Sequence, residues 1–479
     1  EEYRGNLDGA IAAYEKVARP ERPHITLHLG NLLLRRGAYE EAEEYFRSLL
    51  SRHPDHPAAQ RGEALAAFGK AHDGRAYWLI RKVFAANPDD ALACYILGTL
   101  EIERGEKAQG ISTLARCLSI ESKEAIDFDF IFRDVRNRKE VYAALVEAGG
   151  KAAQPGKALL TVAQILSDQE ETDSALGIYD ELLRKLPDNP ALHTLRGNLL
   201  LRSHRLDEAR RAYERALELD PTFAWALRGL GWTAFQAHDF KKAEEAFRKA
   251  LEIKNDPVAW NGLGEALRSQ GRYEEARRAY LQAIGEAPDF RPPYLNLARM
   301  NREEGYFVEA IETYQAYLDR YPGDREARFQ LGLAYFYAQR HREAARTWQA
   351  LLEVEHPRED YLEIFTYFAL QYSGDSEAAD RLIRKKLEKL NHSDWPASVF
   401  AFLGRRISEE ELVAAARDAD ERKTLENLCE AYYYLGAWYR SVRQDPKTAR
   451  RYFELAVETK VTDFIEYRLA RIALGLEGE

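Results

Sequence analysis

Small residues recur along this chain at intervals close to thirty-four: Gly30, Ala64 and Gly98, then Gly197, Gly231, Gly264, Ala298 and Gly332. Twelve positions after each stands a second small residue: Ala42, Ala76, Gly110, Ala209, Ala243, Ala276, Ala310 and Ala344. Four positions later comes a large apolar one: Phe46, Ile80, Leu114, Tyr213, Phe247, Tyr280, Tyr314 and Trp348. Prolines keep the same interval, Pro54 with Pro88, Pro187 with Pro221, and Pro288 with Pro322. A fixed period of this length is read as a repeat array before any single element is assigned. Its physical sense is a pair of antiparallel helices per unit. A small residue on each helix lets the backbones approach, and the large residue four positions on fills the groove to the next unit. The proline ends the second helix, while Gly37, Gly105, Gly271 and Gly305 supply a left-handed turn between the two.

Leu263-Gly264, Ala276, Tyr280, Ala283 and Pro288 form the cleanest copy, and this pattern resembles the tetratricopeptide repeat family. The resemblance covers about four fifths of the chain and implies an all-α, right-handed superhelix of about ten or eleven helix pairs. It also implies a binding scaffold, since that family consists mainly of such proteins. The period breaks over residues 123–156, where the acidic-aromatic run Asp127-Phe128-Asp129-Phe130-Ile131-Phe132-Arg133-Asp134 is followed by Gly149-Gly150 and Pro155-Gly156. The expected organisation is a first array over 1–122, a degenerate helical pair or hinge over 123–156, and a central array over 157–357. A terminal block over 358–479 follows, in which 395–420 fit no repeat. In that block Trp395-Pro396, Phe402-Leu403-Gly404, Ile407-Ser408, the run from Cys429 to Gly436 and the run from Asp463 to Arg468 resemble the NlpI-like bacterial lipoproteins. That likeness implies an envelope adaptor, and with it a bacterial envelope or periplasmic location. The chain departs from that family in having more repeats and no lipid-attachment cysteine near its start. A closing helix over 463–476 is expected to turn Phe464, Ile465, Leu469 and Ile472 inward and to leave Glu466, Arg468 and Arg471 solvated. The first helix has no comparable cover, so the sequence reads as continuing a longer precursor and as able to self-associate at that end.

Composition narrows the function. Hydrophobic residues make up 46% and charged residues 31% of the 479, as in a folded chain. Seventy-nine acids against sixty-nine bases leave a formal charge of −10, which argues against a nucleic-acid binder. No apolar run is long enough to span a bilayer. The eleven histidines lack metal spacing, and the one tight pair, in His53-Pro54-Asp55-His56-Pro57, falls in an inter-repeat turn. No nucleophile elbow or phosphate-binding loop occurs, so the chain reads as a non-enzyme that needs no cofactor or metal. Cys94 and Cys117 stand where other units carry Trp260 and Ala250, both expected inside, so a buried free thiol is the default for them and for Cys429. A Cys94–Cys117 bridge would require an oxidising compartment.

Within the resemblance, the first helix of each pair lines the concave groove. Reading that face through Gly197, Gly231, Gly264 and Ala298 gives Asn198, Arg228, Trp232, Asn261, Glu265, Arg268, Arg299 and Arg302. Four arginines, an aromatic and two amides suit an extended acidic segment of a protein partner. They do not match the carboxylate clamp of chaperone-binding members, because Leu27 and Thr194 replace the lysine expected four positions before Asn31 and Asn198. Two alternatives stay open: a rigid accessory subunit of a secretion or polysaccharide-export machine, and the repeat part of a longer enzyme. The arginines could also serve only to pair with acids on adjacent helices.

Overall fold

The structure, a computed structural model, describes residues 7–16, 22–70, 73–120, 135, 137–352, 359–390 and 395–476, and among them every regular element is a helix. They divide between Arg272 and Tyr273 into two compact units.

In the first unit the repeat helices are Pro23–Arg36, Tyr39–Arg52, Pro57–Gly69, Asp73–Ala86, Ala91–Glu103 and Lys107–Cys117, preceded by Leu7–Glu15. Arg138–Lys151, Pro155–Asp168, Thr172–Lys185, Pro190–Arg202, Leu206–Leu219, Ala224–Gln236, Phe240–Ile253 and Pro257–Ser269 continue the series. Each helix packs on its neighbours in sequence. Prolines open Pro57–Gly69, Pro190–Arg202 and Pro257–Ser269, where a missing N–H costs nothing, and Asn189 and Asp256 cap two of them with side-chain oxygens. Gly37 and Gly105 end the first helices at φ +84° and +81°. The second helices are plainly amphipathic: Phe240–Ile253 buries only Ala243, Phe247 and Ala250, one stripe at i, i+4 and i+7. The acidic-aromatic run 127–134 lies outside the described residues, but Arg138–Lys151 packs between Lys107–Cys117 and Pro155–Asp168.

The small residues have a specific task. A Cβ on Gly197 would meet the Tyr213 ring at 2.7 Å, and one on Gly231 would meet Phe247 at 2.6 Å. The same rings also press on the first helix of the following unit, at Gly229 and Gly262, and Phe46 lies in the same way between Gly30 and Gly62. Each of these three aromatics is therefore wedged between two units, and a second row of glycines, Gly62, Gly229 and Gly262, two positions ahead of the recognised one, admits it. The sequence reading recognised only the first row.

The second unit runs Tyr273–Glu286, Arg291–Glu303, Phe307–Arg320, Arg325–Tyr337, His341–Leu352, Glu359–Tyr372 and Ser376–Lys389. Two seven-residue helices follow, Ala397–Leu403 and Glu409–Ala415, where no repeat was expected. Glu421–Trp438 then leads into a π-helical turn, Tyr439–Arg443, before Pro446–Glu458 and Ile465–Leu474. Here Trp348 takes the wedge position beside Gly332, and its indole N–H donates to the Phe329 carbonyl at 3.1 Å.

Three expectations need correction. Cys94 and Cys117 are not free thiols: they are paired, with Cα atoms 5.5 Å apart, because they face each other across Ala91–Glu103 and Lys107–Cys117. Cys429 is free and buried, as expected. Trp260 is only partly buried, because its indole reaches back to the segment before its helix, Nε1 donating to Asn255 Oδ1 at 2.6 Å. Glu466 is not solvated but buried, where the closing helix docks on Glu421–Trp438 and Tyr434 Oη donates to its Oε1 at 2.6 Å. Glu430 is buried with it and accepts from Trp395 Nε1 at 2.8 Å and Tyr361 Oη at 3.2 Å. Burial first, and for Glu430 the nearby Glu466 second, raises both carboxyls above their usual range.

Candidate functional site

In the first unit, Pro190–Arg202, Ala224–Gln236 and Pro257–Ser269 touch one another in succession and carry six of the eight singled-out residues. Asn198 is exposed and accepts from Tyr213 Oη at 2.8 Å, so it also steadies the wedge ring beneath it. Arg228 reaches the next first helix, its Nη1 2.5 Å from Asp256 Oδ2, the carboxylate that caps Pro257–Ser269. Its side chain keeps 27% of its surface exposed. Trp232, one turn further along the same helix, is partly exposed and stands edge-on to Phe247 at 5.2 Å. Asn261 and Glu265 are buried, and Arg268 Nη2 lies 3.2 Å from Glu265 Oε2.

Arg228, Trp232 and Arg268 thus remain partly open on this face. Asn261 and Glu265 do not, because Pro257–Ser269 is packed nearly all round, with an unbroken buried run from residue 261 to 267. The positive charge is also reduced, since Asp256 and Glu265 each hold one guanidinium. In the second unit Arg299 is exposed and donates to Asn296 Oδ1 at 3.1 Å. Arg302 donates to Gln330 Oε1 on the following first helix and lies 5.8 Å from the Tyr337 ring.

Two features escaped the sequence reading. The first is a charged tie that recurs on the second helices, directly after the small residue. Glu43 is buried and held by Lys70 at 2.9 Å, Arg75 at 2.8 Å and Arg47 at 2.6 Å. Glu244 is held in the same way by Arg272 at 2.6 Å and Arg248 at 2.9 Å, with Gln270 Nε2 at 2.9 Å. Burial would raise both carboxyls, but the hydrogen bonds and cations outweigh it and hold them below the usual range. The only sequence signal was an acid directly after Ala42 and after Ala243, easily taken for solvated charge. The second is a cleft of about 290 Å³ over Ala224–Gln236, between Leu206–Leu219 and Phe240–Ile253. Its apolar floor includes Leu227, Leu230 and Ala234, and its rim mixes Arg210, Lys242 and Lys249 with Asp207, Glu214 and Glu245.

Among the described residues no helix is long and apolar enough to cross a membrane. Four family models described as tetratricopeptide repeat match the chain, over residues 3–71, 188–256, 229–291 together with 262–325, and 326–357. Solved structures similar to this chain include YrrB, a repeat protein with an unusual peptide-binding site, at 20% identity over 44% of this chain and 98% of that one, TM-score 0.32. The C-terminal part of a repeat protein from Cytophaga hutchinsonii matches at 14% identity over 57% of this chain and 98% of that one, TM-score 0.39. Yeast Tom70 matches at 14% identity over 77% and 99%, TM-score 0.36. With its helix pairs, wedge aromatics and small residues in register, the chain belongs to the tetratricopeptide repeat proteins.

Proposed function

We propose that this chain is a non-catalytic adaptor whose first-helix face in residues 190–269 holds an extended acidic segment of a protein partner. The family consists mainly of scaffolds for protein contact, which sets the class of function. The observation that carries the finer reading is Arg228 with Trp232 on one helix. The guanidinium spends a single N–H on Asp256 and keeps others for a ligand carboxylate, while the half-open indole one turn on offers an apolar anchor. Arg268 and Asn198 extend the face on the neighbouring helices, and Arg299 and Arg302 form a corresponding patch in the second unit. An oxidising compartment such as the bacterial envelope is favoured by the pairing of Cys94 with Cys117.

The test is fluorescence anisotropy with extended acidic peptides and their amide counterparts, Glu replaced by Gln. Acidic peptides should bind at least about tenfold more tightly, equivalent to about 1.4 kcal/mol. Arg228→Gln should remove that preference with helical circular dichroism retained. A folded Arg228→Gln protein that binds as well as the parent would move the site off this face.

A further inference from the structure

A second cleft, of about 110 Å³, lies in the terminal block and plays no part in the reading above. Six helices and the π turn meet there, Phe453 coming from Pro446–Glu458. Tyr337 ends one first helix, His341 opens the next helix and Tyr372 ends Glu359–Tyr372. Tyr433 comes from Glu421–Trp438, Arg440 from the π turn, and Leu469, Ile472 and Ala473 from the closing helix. A π turn pushes its side chains out of helical register, and here it carries Arg440 to the cleft.

Of the polar groups, Tyr372 Oη reaches the Ala437 carbonyl at 3.5 Å, but Arg440, Tyr337 and Tyr433 are donors without acceptors. Arg440 is exposed and forms no ion pair or hydrogen bond among the described residues, yet its charge bears on His341, Tyr372 and Tyr433. The phenols of Tyr337 and Tyr433 likewise donate to no described residue, although both side chains are almost fully buried. His341 stacks on Tyr372 at 4.7 Å, and its Nδ1 is buried without a partner. Burial, then Arg440, pushes this imidazole down to about 4, so at neutral pH it is uncharged and offers one N–H. Arg302, beside the Tyr337 ring, is hydrogen-bonded to the neutral Gln330 and not to a carboxylate. Of the acids nearby, Glu303 is taken by Arg468 at 3.4 Å, and burial raises the Glu466 carboxyl above its usual range. Leu469, Ile472 and Ala473 supply an apolar wall opposite.

We propose that this cleft binds a small carboxylate with a short apolar tail, its oxygens received by Arg440 and the phenols of Tyr337 and Tyr433. An anion answers both the unpaired guanidinium and the idle phenols, whereas a cation or a purely apolar group would leave them unsatisfied. The volume is that of about four water molecules, which sets an occupant near the size of butyrate. The same chemistry is presented by a free acid and by the last residue of a polypeptide, here valine or alanine.

Calorimetric titration of the full chain with sodium butyrate and with butyramide separates charge from shape. Butyrate should bind saturably and butyramide at least about tenfold more weakly. Arg440→Gln should lose butyrate by a similar factor at an unchanged melting temperature, while the control Arg443→Gln, three residues on, should bind as the parent does. A dipeptide ending in a free valine, compared with its amide, assigns the source: binding of the free-ended dipeptide tighter than butyrate identifies a chain terminus, and weaker binding a free acid. Equal binding of butyrate and butyramide, unimpaired binding by Arg440→Gln, or no heat from butyrate up to about 20 mM would each overturn the proposal.

Discussion

Gly332 shows how little room a wedge position leaves. Trp348 cannot retreat from an added methyl group, because its indole N–H is fastened to the Phe329 carbonyl and its ring is fully buried. Gly332→Ala should therefore cost about 1–3 kcal/mol, read as a lower urea midpoint at an unchanged slope. Loss at the high end would mean that the indole hydrogen bond breaks to make space. The same residue scale explains what could be read in advance. All twenty-four small and large positions of the eight aligned units are buried, because backbone approach demands small side chains and the groove between units demands a large one. Turn residues were legible only where glycine filled them. His204, His238 and Gln339 adopt φ between +55° and +59° without glycine, since the close packing of each helix pair forces the turn whatever the residue. Glu466 was misread because an acid on a helix is ordinarily solvated, and nothing in a one-dimensional pattern shows Tyr434 waiting for it.

At the scale of elements, the closing helix carries a pH signature. Glu430 and Glu466 bind their protons more tightly in the fold than in the unfolded chain, so both carboxyls are raised. Their contribution to stability is full below the unfolded carboxyl value of about 4.3 and is lost as pH rises through the raised folded values. Glu466→Gln keeps the oxygen that accepts from Tyr434 and removes the ionisable proton. At pH 8 it should raise the stability of the terminal block by about 1 kcal/mol or more, a gap that closes as pH falls toward 4. Equal melting of parent and variant at pH 8 would show that the acid is ionised there at no cost. The first-helix face was only partly legible for an elemental reason. A helix covered on both flanks, such as Pro257–Ser269, buries Asn261 and Glu265 along with its leucines, and residue type alone does not separate the open strip from the packed one. The cysteines offer a second element-scale check. Unfolded without reductant, the chain should take one alkyl group, on Cys429, and with reductant three. Three labels without reductant would mean that Ala91–Glu103 and Lys107–Cys117 are held by packing alone.

For the molecule as a whole, a net charge of −10 conceals local patches of opposite sign, and both binding surfaces argued above are built from arginine within an acidic chain. The two-sided seating of the aromatics also bears on how such a chain can change length. Phe247 needs a glycine behind it at Gly231 and another ahead at Gly262. Excision of residues 198–231 would bring Gly197 to the place of Gly231, with every later contact of Phe247 retained, whereas a cut two residues shorter would turn the following helix by about 200° and present its opposite face. The first protein should keep a cooperative melt and helical circular dichroism, and the second should not. Each period is then a removable link with matching ends, so arrays of this type can be lengthened or shortened by whole units without redesign of any junction.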